Sequence, residues 1–138
     1  MKFMMLIKHT EDRKVLPKEL SDAITQQREH SEIGPVIVAS GGLAPTAASS
    51  RVRLAGGKLT VTDGPFVETK EVVGGFAILE FKSREEAAES ARQYMELYRR
   101  HWPGWEGETE VRQVYAPEDY TLDAGRSDLQ PDAQPGKS

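Results

Sequence analysis

Gly75-Phe76-Ala77-Ile78-Leu79-Glu80-Phe81 runs, after a single lysine, into Ser83-Arg84-Glu85-Glu86. The first stretch is rich in residues that fit a pleated sheet and carries apolar side chains on both faces, the pattern of a central strand. The second is a capping box, in which the Ser83 oxygen accepts from an orphan amide and Glu86 reaches back to the serine N–H. Beyond it, Ala87, Ala88, Ala91, Tyr94, Met95 and Tyr98 repeat at helical spacing. The small alanines predict a helix lying close against the sheet. His101-Trp102-Pro103-Gly104-Trp105 ends that helix, and Glu110 to Tyr115 alternates as a last strand.

Working upstream, Ser50-Arg51-Val52-Arg53-Leu54 and Leu59-Thr60-Val61-Thr62 alternate on either side of Gly56-Gly57, which predicts a β-hairpin. Val52, Leu54, Leu59 and Val61 share one face, and that face is expected to meet the core. Further back, Leu20, Ala23 and Ile24 recur after Pro17 at helical spacing, and Ile33, Val36 and Ile37 resume it. Gly34-Pro35 interrupts the pattern, so a kinked helix or two short helices is expected, stopped by Gly41-Gly42. Phe3 to His9 reads as a first strand.

The order strand, helix, hairpin, strand, helix, strand predicts an α+β fold, a ferredoxin-like β-α-β-β-α-β plan with an extra hairpin in the middle connection. Both helices then cover one sheet face. The other face is left with apolar residues that need a cover, and self-association into a homodimer is the simplest one.

With 138 residues the chain suits one domain, expected over 1–118, followed by a flexible C-terminal tail over 119–138 rich in Asp, Gly, Pro, Gln and Ser. There is no cysteine, which removes thiol chemistry and zinc–thiolate sites and favours a cytoplasmic location. A net charge of -4 with interspersed signs lacks the footprint of a nucleic-acid binder. The apolar run at residues 3–7 is too short for a signal peptide, and no stretch is long and apolar enough for a membrane span. No nucleic acid and no membrane are expected as partners.

Val61-Thr62-Asp63-Gly64-Pro65-Phe66-Val67-Glu68-Thr69-Lys70-Glu71, closed by Gly74-Gly75-Phe76, closely resembles the signature of the DGPF-domain proteins. Met4-Met5-Leu6-Ile7, Gly41-Gly42-Leu43-Ala44-Pro45 and Val111-Arg112-Gln113-Val114 support the match, which covers roughly residues 1 to 116. DGPF proteins are similar to the YCII-related group, and the resemblance implies a ferredoxin-like domain that pairs into a dimeric α/β barrel. It also implies association with an extracytoplasmic-function sigma factor system. The YCII group's acid–base pair would place a histidine in the first helix. The matching positions here hold Gln26 or Gln27, with His30 about one turn further on, and Asp63 is the natural carboxylate candidate.

Several residues therefore carry two readings. Asp63-Gly64-Pro65-Phe66 suits a tight turn on turn chemistry alone. As a site, Asp63 would be a general base, with His9 or His30 assisting, and Gly64, Pro65 and Phe66 would line a ligand cleft. Glu68, Lys70 and Glu71 form a solvated charge cluster or the rim of that cleft. Gly74 and Gly75 suit a bulge, a hinge or a close approach to ligand. Trp102 and Trp105 are expected at the core boundary or a subunit interface. The histidines lack metal-ligand spacing and no phosphate-cradling glycine motif is present, so no metal and no cofactor are expected.

Two functions follow from these residues. One is a homodimeric protein binding a small organic ligand or acting as a regulatory partner. The other is a small acid–base enzyme, lyase or dehydrohalogenase-like, working on an organic acid or ring compound. A purely structural role for the motif is the third.

Overall fold

The computed structural model describes residues 1–11, 15–29, 36–66, 71–117, 120–121 and 130–131. Its elements in chain order are β1 (Lys2–His9), α1 (Lys18–Glu29), β2 (Ile37–Gly42), a 3-10 turn (Thr46–Ala48), β3 (Ser50–Ala55), β4 (Lys58–Asp63), β5 (Val72–Glu80), α2 (Arg84–His101) and β6 (Gly107–Val114). Four strands form one antiparallel sheet in the order β2-β5-β1-β6. This mixed α+β arrangement is consistent with the ferredoxin-like plan, with β3 and β4 as a separate two-stranded sheet in the middle connection.

Strand alternation sorts the side chains onto two faces. Phe3, Met5 and Ile7 of β1 share a face with Ala77 and Leu79 of β5, their cross-strand neighbours. On that side Phe3, Met5, Leu79 and Phe81 close around Ala87 and Ala91 of α2, and the Phe3 and Phe81 rings meet edge-on at 6.0 Å. The alanines let the helix approach, as their spacing predicts. Leu20 is the buried anchor of α1. Removing a fully buried side chain such as Phe3 or Leu20 leaves a cavity and costs about 2–5 kcal/mol.

Ser83 caps α2, accepting from the Glu86 amide at 3.1 Å. Glu86 reaches back one residue further than the capping box predicts, accepting from the Lys82 N–H at 2.8 Å.

Two expectations are corrected. The helical pattern expected to resume at Val36 and Ile37 is instead strand β2, paired along β5. Val36, Ile37 and Val38 are three consecutive β-branched residues, which lose little in an extended chain, and the neighbouring β5 supplies the backbone partners. Ile33 and Gly34-Pro35 lie outside the described residues.

The hairpin forms in the predicted register, with Gly56 and Gly57 at φ 57° and 73°, the left-handed pair that a two-residue turn requires. Its apolar face, however, does not meet the core: Val52 and Leu54 are 69% exposed, Leu59 and Val61 68%. The hairpin is a sheet of its own, so its period-two pattern has no opposing layer among the described residues.

The expected tail lies outside the described residues except for β7 (Tyr120–Thr121) and β8 (Gln130–Pro131), which pair antiparallel. No helix is long and apolar enough to cross a membrane among the described residues.

Candidate functional site

The Asp63–Phe66 corner is built by hydrogen bonds at the base of the hairpin. Ser50 donates its hydroxyl to Asp63 Oδ1 at 2.9 Å, and the Gly64 N–H donates to Ser49 O at 2.8 Å. A Cβ on Gly64 would collide with the Thr46 carbonyl, so only glycine lets the corner sit against the 3-10 turn. The Thr46 amide donates to Glu11 Oε2 at 2.6 Å, and its hydroxyl donates to the other carboxylate oxygen. These bonds, hydroxyl first, hold Glu11 below the usual carboxylate range. Phe66 carries the Arg51 guanidinium 3.8 Å from its ring centroid.

Asp63 is an exposed carboxylate, and the Gly64–Pro65 peptide bond is cis. Phe66 and Glu71 line a hollow of about 400 Å³ together with Leu43, Thr46 and Arg51. Asp63 lines neither this hollow nor the larger one described next. His30, Glu68 and Lys70 lie outside the described residues.

A cavity of about 580 Å³ lies between the sheet and the two helices, beyond the end of the packed core. Its existence follows from where the large side chains stop. Along β1 and β5 the helix-facing positions are filled at Met5, Ala77 and Leu79, and then Gly75 of β5 pairs with Gly42 of β2. A Cβ on Gly42 would meet nothing within 4 Å. The two neighbouring strands therefore present bare backbone to the helices. Gly74 is the extra residue of a β-bulge, since the β1 partners step from Gly75 at Ile7 to Val73 at Lys8. A Cβ there would collide with the His9 ring, so the bulged glycine is what admits His9 to the cavity wall.

The same cavity has an aromatic wall. Tyr94 and Tyr98 lie one turn apart on α2, edge to face at 5.1 Å, with their hydroxyls 2.9 Å apart. Tyr98 also packs against Trp105 at 4.5 Å, and Trp102 stacks beside Trp105 at 5.9 Å. Burial first, then the neighbouring Tyr94, pushes the Tyr98 hydroxyl well above its ordinary pKa, so it stays a neutral hydrogen-bonding group. His9 Nδ1 sits 2.7 Å from Thr10 O; a carbonyl only accepts, so this nitrogen is the donor in that contact. Gln27 and Arg28 of α1 and Gln93 of α2 add polar groups. Among the described residues no group of three or more His, Asp or Glu side chains could hold a metal ion.

Of the residues that sequence reasoning singles out, His9, Gly74 and Gly75 converge on this cavity, while Phe66 and Glu71 belong to the other hollow. The sequence pattern alone places Tyr94 and Tyr98 in a core stripe, Gly42 at a helix stop and the two tryptophans at a packing boundary, and not in a shared cavity. Two glycine pairs, at 41–42 and 74–75, are visible in the sequence, but only the pairing of Gly42 with Gly75 across β2 and β5 makes a floor.

The YCII-related domain family matches residues 1–96. An uncharacterised protein of Rhizobium meliloti (strain 1021) is 38% identical over 82 residues, covering 59% of this chain and 62% of that protein. The chain thus spans less than two thirds of the length of this curated relative.

Proposed function

Since the chain belongs to the YCII-related family, we propose that it is a small-ligand-binding protein whose ligand occupies the cavity between sheet and helices, and that it works as a homodimer. The observation that carries this reading is the cavity: about 580 Å³, largely apolar and aromatic, with a few polar groups, the composition and size of small-molecule sites. Trp102 and Trp105 are the chain's two tryptophans and both line it, so intrinsic emission reports directly on occupancy. A panel of neutral one- and two-ring compounds should give a saturable change in that emission and a raised melting temperature. The reading falls if no compound does either.

The homodimer is supported by the sheet face away from the helices. There Met4 pairs with Ile78 and Leu6 with Phe76, an apolar centre flanked by the Lys8–Glu110 ion pair. Association with an extracytoplasmic-function sigma factor system rests on the DGPF-like motif alone, and co-purification from the native cell tests it.

An acid–base enzyme is the second reading, favoured by the His9 imidazole at the cavity wall. His9→Gln should then abolish turnover of a bound ring compound while leaving its binding within a few-fold. Turnover that survives the change removes this reading.

A further inference from the structure

Resting on the cavity as a ligand site, we propose that its ligand is a planar aromatic acid, the ring lying over Gly42 and Gly75 and the acid group held by Arg28. The floor selects for flatness. Gly42 and Gly75 are directly paired on adjacent strands, and the space above Gly42 is open to at least 4 Å, so a flat surface of backbone lies exposed to the ligand. In the same cavity Trp102 and Trp105 lie with their ring planes only 28° apart, and Tyr98 packs on them at 6.3 Å and 4.5 Å. Bare backbone and aromatic ring faces both offer flat surfaces, on which a flat ring packs better than a bulky saturated ligand.

The sign of the charge comes from the lining. The chain carries 22 acidic residues against 18 basic ones, yet among the described residues no Asp or Glu lines this cavity. Its charged side chain is Arg28, in the last turn of α1, and the remaining polar groups are neutral amides, hydroxyls and the His9 imidazole. An aromatic enclosure alone would also suit an organic cation. Among the described residues a cation would meet an arginine and no carboxylate, while an anion gains a guanidinium whose planar fork matches a carboxylate. The volume of about 580 Å³ accommodates one or two rings with their substituents.

Calorimetric titration of the full chain with 2-naphthoate, 2-naphthamide and 2-naphthylmethylammonium separates the outcomes. The acid should bind at least about 10-fold more tightly than the neutral amide or the cation, the gain of one charge-assisted contact. Arg28→Gln should bring the acid down to the affinity of the amide and leave the amide unchanged. Gly42→Leu, which places a side chain in the open space, should block all three. If the amide or the ammonium binds as tightly as the acid, or Arg28→Gln leaves the preference intact, the acid assignment is overturned while the ligand site stands. If none of the three binds the wild-type chain, the ligand-site reading falls with it. Should Gly42→Leu fail to fold, the Arg28→Gln comparison decides alone.

Discussion

Glu11 clamps the 3-10 turn by taking both the amide and the hydroxyl of Thr46, and Thr46 in turn lies against Gly64. Because its folded pKa is depressed, the clamp contributes stability above the ordinary carboxylate value of 4.5 and loses it as pH falls through the lower folded value. Protection of the Thr46 and Gly64 amides, taken relative to their intrinsic exchange rates, should therefore fall below pH 4.5, before the core opens. Glu11→Gln should show the reduced protection already at neutral pH and remove its further fall in acid. Equal acid sensitivity in the variant would assign the effect to another group. The bond from Ser50 to the motif's aspartate follows from the hairpin register, which the alternating pattern predicts. The clamp of Glu11 on Thr46 was not legible, since that bond spans 35 residues.

Capping shows what one element can be expected to yield. Ser83→Ala removes the acceptor for the Glu86 amide and should cost about 1 kcal/mol of stability in chemical denaturation, with little change in affinity for any cavity ligand. A loss far above that, or a lost ligand site, would mean that the α2 N-terminus does more than start the helix. Strand β5 and helix α2 could be read from the chain alone because pattern, cap and small-residue stripe agree with one another. Strand β2 could not: apolar residues three and four apart match a helix as well as a short extended run, and only its pairing with β5 decides between them. The hairpin was read in full except for its direction, since alternation tells which residues share a face and not what that face meets. Replacing Val52 and Val61 by Thr keeps the β-branched shape and the register. Because both are exposed in the single chain, the change should leave the monomer's stability within about 0.5 kcal/mol. A larger loss that depends on protein concentration would show that a second chain covers them.

For the whole molecule, the decisive question is what lies on the sheet face that the helices leave bare. Met4, Leu6, Phe76 and Ile78 form its apolar centre, with charged residues beside them on β6. If a second copy covers it, sedimentation should give twice the chain mass, and Leu6→Lys should convert the particle to a monomer while ring compounds still quench Trp102 and Trp105. A wild-type monomer at micromolar concentration would remove the homodimer from the proposal. That the helices would leave one sheet face bare was apparent from the count of strands and helices. The cavity on the opposite side was not, because it arises from absent side chains on two strands and from aromatics that follow the second helix.

The place of β1 in the sheet also sets when the protein can become a protein. Lys2 pairs with Glu80 on one side and Val114 on the other, so the strand of this sheet that is made first waits for the two that are made last. Until then its apolar residues have no permanent neighbour, and nascent chains stalled before residue 72 lack both of its sheet partners.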